Sequence, residues 1–373
     1  MRLGRDRDPR ASTSAPALDF RTIDRDEKRE FDIDSRPRGA AQYTRRHSMS
    51  EATGSGPGAG DKGVEARFSD AVTCHRSGEL EQAQGLYEGI LQDQPEHADA
   101  LHMLGLLALQ QERIDEAKRL IAEAIKIDDQ NAFYHNNLGE AKRVLGENAG
   151  AAECYRAAIA LEPSYAQAHN NLGLVLFELG EAEGAVEEMQ TALAIDPNEP
   201  GLHNNLGVVF EAIGRLDDAV PCFRRSLELA PQQVEVCNNL GAALHTQGEY
   251  EEAERHLLAA ADIDAGIANV HYNLSRLYLD QGKLDAAVAA ARKSIELNPR
   301  IPDYFIALGA AQRAQGQLQE SLSTLRAAVA IDPGHALALN DMGVSLLVLG
   351  RFDEAEASLR RALDADPQDC ESE

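Results

Sequence analysis

"HNNLG" stands at His135–Gly139, His169–Gly173 and His203–Gly207, each copy 34 residues after the last. "CNNLG" (Cys237–Gly241) and "HYNLS" (His271–Ser275) follow in the same register. Self-similarity at a fixed period of this size marks one supersecondary unit stacked many times.

Outward from the motif, the period runs from Val64 to about Gln368 in nine units without an insertion. The units start at Val64, Ala98, Ala132, Ala166, Pro200, Val234, Ala268, Pro302 and Ala336, which are position 1 of each. Position 8 is Gly in seven units, with Ala71 and Ser275 in the others, and position 20 is Ala in all but Ser321. Position 27 is small in eight units, position 15 is Gly in eight and position 32 is Pro in seven. Small residues at 8, 20 and 27 let two helix backbones approach closely. Gly at 15 ends a first helix in a conformation other residues adopt at a cost. Pro at 32 stops a second helix. Between these marks lie two amphipathic stretches per unit, as Leu172, Leu176, Met189 and Leu193 illustrate in the fourth. The expected fold is all-α, a helix-turn-helix unit repeated about nine times.

Helix phase separates the residues of the motif. Residues two apart point in nearly opposite directions, whereas those three and four apart are neighbours. His135, His169, His203 and His271 at position 4 therefore lie beside the packing positions 7 and 8. They are expected to pack at the interface with a hydrogen-bonded ring nitrogen. No metal site is expected: a zinc ion needs each ligand nitrogen within about 2.1 Å, and neighbouring helices stand roughly 10 Å apart. Asn137, Asn171, Asn205, Asn239 and Asn273 at position 6 face away from the packing side, one per unit in five consecutive units. An amide offers both a donor and an acceptor and can grip a peptide unit. A rung spacing of roughly 10 Å matches about three residues of extended chain. These five are the expected peptide-binding ladder, local hydrogen bonding or bound water being the alternative. Asn136, Asn170, Asn204 and Asn238 at position 5 are expected to be solvated or to support the ladder. Gln167, Glu235 and Asn269 (position 2) and Arg276 (position 9) are the expected secondary groove contacts, with Glu140, Leu174 and Val208 also at position 9.

The pattern over residues 64–369 resembles the tetratricopeptide repeat. That resemblance implies stacked helical hairpins in a right-handed superhelix, with a concave groove lined by the first helix of each unit. Within the family, the "NNLG" ladder is similar to the peptide-binding arm of O-linked N-acetylglucosamine transferases and their bacterial relatives. The match departs at Met103 before the ladder and at Ala307 and Asp341 after it. No transferase domain follows "DADPQDCESE", so catalysis is not carried over. Other members clamp chaperone carboxylates with Lys and Arg. Here Arg276 is the only basic residue at positions 2, 6 and 9 of units three to seven, so that role is not expected.

Composition narrows the function. The chain of 373 residues carries a formal net charge of −26. Nucleic acid and anionic membrane surfaces both require a basic face and are not expected partners. Five dispersed cysteines without a CxxC pair fit a reducing compartment, and no signal peptide or membrane span is read, so the expected location is cytoplasmic. Nucleophile elbow, P-loop, dinucleotide fingerprint and zinc motif are absent from the sequence. The carboxylates of "EEAER" (Glu251–Arg255) and "DEAEAS" (Asp353–Ser358) fall on a solvated outer face. The chain is read as non-enzymatic, with no cofactor and no metal. Its expected partners are extended segments of other proteins, and its solenoid ends pair with a second copy or a further domain. The competing reading is the substrate-recognition arm of a protein O-glycosyltransferase, or other transferase, whose catalytic domain is absent, truncated or on a separate chain.

Residues 1–63 differ in kind. The first 62 hold 13 Lys+Arg and 11 Asp+Glu without apolar periodicity, and "TGSGPGAG" (Thr53–Gly60) has linker composition. This segment is expected to be disordered. Met49, in "MSEATGSG", is an alternative start that would leave residues 1–48 untranslated. The folded part, by difference, carries −28.

Overall fold

The computed structural model describes residues 59–365. The expectations for residues 1–58 and 366–373 lie outside that range. Two compact units divide at Ile195/Asp196. The first contains α1 (Ala59–Arg76), α2 (Leu80–Asp93), α3 (Ala98–Gln110), α4 (Ile114–Ile127), α5 (Ala132–Val144), α6 (Asn148–Leu161), α7 (Ala166–Glu178) and α8 (Ala182–Ile195). The second contains α9 (Pro200–Ala212), α10 (Leu216–Leu229), α11 (Val234–Gln247), α12 (Tyr250–Ile263), α13 (Ala268–Asp280), α14 (Leu284–Leu297), α15 (Pro302–Ala314), α16 (Leu318–Ile331), α17 (Ala336–Val348) and α18 (Phe352–Ala365). Repeats 1–4 thus make the first unit and repeats 5–9 the second, each repeat one hairpin of two helices. Helix α1 begins at Ala59, five residues ahead of the repeat's first position at Val64 and inside the stretch with linker composition.

The periodic residues act as their chemistry requires. Position 15 has positive φ in every repeat, and Glu112 (φ 59°) is the one residue there that is not Gly. The next residue then donates its N–H back across the turn, as Glu147 N does to Lys142 O at 2.9 Å, which closes the first helix. Position 8 is small because position 24 of the same repeat lies over it. A Cβ built on Gly139 would stand 2.6 Å from the Tyr155 ring, and Tyr155 is fully buried. Ser275 and Ser321, in place of Gly at 8 and Ala at 20, donate their hydroxyls to Ala287 O (2.9 Å) and Gly309 O (2.7 Å). Both hydroxyls are thereby satisfied in the core.

Within each unit, first helices of successive repeats touch one another, as α3–α5–α7 and α9–α11–α13–α15–α17 do, while second helices make no comparable contact. The first helices therefore occupy the inner side of each unit's curve and the second helices the outer side. Among the described residues no helix is long and apolar enough to cross a membrane.

Candidate functional site

Contacts between successive first helices recur with a sequence separation of 35, one more than the period. Position 3 meets position 2 of the previous repeat, as Tyr134 Oη donates to the Asp99 carboxylate. Position 12 meets position 13 of the next: His75 Nε2 with Gln110 Oε1 at 2.9 Å, Arg143 with Glu178 at 3.6 Å and His245 Nε2 with Asp280 Oδ2 at 2.7 Å. The asparagines follow the same rule. In the first unit Asn171 Nδ2 donates to Asn136 Oδ1 at 3.1 Å. In the second, Asn239 Nδ2 donates to Asn204 Oδ1 at 3.4 Å and Asn273 Nδ2 to Asn238 Oδ1 at 2.9 Å. Within each unit Asn171, Asn239 and Asn273 thus pin their helices to position 5 of the helix before.

Of the two sequence expectations for position 5, solvation is removed and support of the ladder is kept. Asn136, Asn170, Asn204 and Asn238 are buried, not solvated. The carbonyl oxygens of Asn136, Asn204 and Asn238 accept the inter-repeat bonds just named. Asn136 and Asn170 also donate to the adjoining Asn137 and Asn171 at 3.2 and 3.4 Å. At the head of the ladder His102 takes the place of Asn, and Asn137 Nδ2 lies 2.8 Å from its Nε2. Burial pushes the His102 ring down to about 3, so it is neutral, and Nε2 accepts the amide proton.

Asn137, Asn171, Asn205 and Asn239 remain half-exposed, whereas Asn273 is buried. A side-chain amide has two N–H donors and an oxygen with two lone pairs. In Asn171 one donor is taken by Asn136 and one lone pair by Asn170. One N–H and one lone pair remain for a ligand. The ladder ends at Ala307, position 6 of repeat 8; in repeat 9 Asp341 stands there, and Arg313 from the previous repeat holds its carboxylate at 3.0 Å.

Other expected groove residues are placed as follows. Gln167 and Asn269 are exposed, and Glu235 is half-buried. Arg276 is half-buried with its guanidinium 5.7 Å from the Tyr272 ring centroid. Glu140 is held by Arg143 at 3.0 Å. Arg143 also reaches Glu178, so these three charges close on one another instead of facing outward singly. Glu211 carries a carboxyl pushed up to about 7 by burial; nothing in its sequence context marked it.

The histidines at position 4 hold the chain entering their helices. Nε2 of His135, His203 and His271 meets the carbonyls of Asp129 (3.0 Å), Pro197 (2.9 Å) and Ala265 (2.9 Å), each six residues earlier. His169 does the same with Pro163 at 3.2 Å and adds Glu188 at Nδ1. Cys237, their counterpart in repeat 6, is buried. Among the described residues no group of three or more His, Cys, Asp or Glu is arranged to hold a metal ion.

Hairpins stacked in fixed register, with a polar ladder on the inner helices, define a helical-repeat protein-interaction fold. Models of the tetratricopeptide repeat match residues 75–139, 136–200, 199–265, 233–300, 272–336 and 312–372. The chain belongs to the tetratricopeptide repeat family. It is similar to Tetratricopeptide repeat protein 7B of Homo sapiens, 30% identical over 85 residues, which are 23% of this chain and 10% of that protein. Among solved structures it is similar to the APC/C hetero-tetramer Cut9–Hcn1, with a TM-score of 0.57, 23% identity, and coverage of 65% of this chain and 48% of that one. It is also similar to Pseudomonas aeruginosa pilF, with a TM-score of 0.51, 26% identity, and coverage of 59% of this chain and 97% of that one. The chain spans a tenth of the human relative and about half of the Cut9–Hcn1 chain.

Proposed function

We propose that the protein is a non-enzymatic scaffold whose first helices hold extended segments of other proteins by their backbone. Asn137 and Asn171 in the first unit, and Asn205 and Asn239 in the second, are the residues that grip. Asn273, buried against Asn238, serves the stack more than the ligand. The observation that carries this reading is the unspent hydrogen-bonding capacity of the half-exposed Asn137, Asn171 and Asn239 amides. Each inter-repeat bond fixes the amide's orientation, so a ligand binds a pre-ordered group and little side-chain entropy is lost on binding. Because an amide pairs with a peptide unit and not with a side chain, the ladder suits partners of varied sequence. Gln167, Glu235, Asn269 and Arg276 would bias the choice among them.

The probe is a pool of unrelated, unstructured 15-residue peptides labelled with a fluorophore, alongside the same pool N-methylated at alternate residues. Binding of the first pool, weakened at least tenfold by methylation, supports backbone recognition. Equal binding of both pools, or binding of neither, refutes it.

A further inference from the structure

Large apolar side chains that reach the surface number at most two in any repeat over the described residues, except in repeat 9. There Leu347 is 44% exposed, Val348 61%, Phe352 67% and Leu363 48%. Leu347 and Val348 end α17, and Phe352 begins α18 directly after the turn. Phe352 and Leu363 are eleven residues apart, close to three full turns, and so share one face of α18. Repeat 7 shows what this face is for. Its matching residues, Leu279 at position 12 and Ile295 at position 28, pack into a cluster with Leu308 and Ala311 of the repeat that follows. Leu347 and Leu363 hold those same two positions in repeat 9, and the described structure leaves them uncovered.

We propose that this face pairs with the same face of a second copy, giving a two-fold, tail-to-tail dimer. Surface chemistry selects that occupant. The first repeat, the other end of the array, contributes none of the exposed large apolar side chains. Head-to-tail stacking would therefore set an apolar face against a polar one. Residues 366–373, "DPQDCESE", carry four carboxylates and no large apolar side chain. An isologous pairing instead sets Leu347, Val348, Phe352 and Leu363 against their own copies, with the Arg360–Glu356 ion pair (2.6 Å) at the rim. At about 150–200 Å² per large side chain, these exposures amount to roughly 400 Å² of apolar surface per copy. The dimer thus buries roughly 800 Å² of apolar area together with its polar rim, at the lower edge of specific interfaces. The association is therefore weak, with half-dissociation on the order of micromolar.

Sedimentation velocity on the full chain, from about 1 to about 200 µM, tests this; the range brackets a micromolar constant. The mass is expected to rise from 40.4 kDa toward twice that value and stop there. Val348→Glu/Phe352→Glu is expected to remain monomeric throughout, with circular dichroism unchanged, and Leu363→Lys to weaken the dimer by at least tenfold. Leu258→Glu, at an exposed site on repeat 6, is expected to dimerise like the parent. A parent that stays at 40.4 kDa, a mass that climbs past the dimer as in head-to-tail growth, or a dimer that survives both repeat-9 variants would overturn the proposal.

Discussion

Replacing Asn171 with Ala removes the donor that serves Asn136 Oδ1. Asn136 is only 3% exposed, so water cannot easily replace that donor. A buried acceptor left unpaired costs about 1–3 kcal/mol, against which Ala gains roughly 0.5 kcal/mol of helix propensity over Asn. Asn171→Ala should therefore destabilise by about 1–2 kcal/mol. The converse variant, Asn136→Ala, frees Asn171 Nδ2 at a half-exposed site where water can take over. It should cost less, about 0.5–1 kcal/mol. With both changed, the Asn136 oxygen is no longer left unpaired, while the long Asn170–Asn171 bond is lost as in the single variant, and the double variant should fall short of the summed effects by about 1 kcal/mol. Repeat arrays unfold unit by unit, so the assay is native-state hydrogen exchange of α5 and α7 amides beside a urea melt. A stable Asn171→Ala, or effects that add within about 0.4 kcal/mol, would refute the inter-repeat bond as a contributor to the stack.

Three further outcomes follow from single residues. Glu112, exposed and at φ 59°, should be improved by Glu112→Gly, stabilising repeat 2 by about 1 kcal/mol in a urea melt. Pro221 lies inside α10 with its ring exposed; Pro221→Ala restores a helix hydrogen bond and should stabilise by about 1–3 kcal/mol, read as slower exchange in that helix. Glu211 keeps its proton in the folded chain up to about pH 7, whereas the unfolded chain loses it near 4.5. Its contribution is full below the unfolded value and is lost as pH rises through the folded one. At about 1.4 kcal/mol per unit, reduced for a half-buried side chain, about 1–3 kcal/mol disappears between these limits. Glu211→Gln should flatten urea midpoints over that window, and an unchanged slope would count against a buried, protonated carboxyl.

Much of the fold is local and was therefore legible. Gly at position 15 and the small residue at position 8 answer to a turn and to a side chain sixteen residues away, as with Gly139 and Tyr155. The phase of the histidines and the need for a bonded ring nitrogen were legible too. Their acceptor, a carbonyl six residues back, depends on the path of the loop and was not. The sequence left position 5 open between solvation and support of the ladder for a related reason. Helix phase places Asn136 about 100° from Asn137 but says nothing of how the next repeat rotates onto it. A register of 35 brings Asn171 over Asn136 and buries it. The ladder is thus two residues wide, one column buried in the stack and one, at Asn137, Asn171, Asn205 and Asn239, half-exposed.

That division supplies the decisive comparison. Asn171→Ala/Asn239→Ala and Asn136→Ala/Asn204→Ala remove the same two inter-repeat bonds, but only the first pair removes half-exposed amides. Fluorescence anisotropy with the unmethylated peptide pool, at a temperature where both variants remain folded, separates ligand loss from stack loss. The account predicts at least tenfold weaker binding for the position-6 pair, and a distinctly smaller loss for the position-5 pair, whose gripping amides are present but no longer pre-ordered. Equal weakening in both, or in neither, would contradict it.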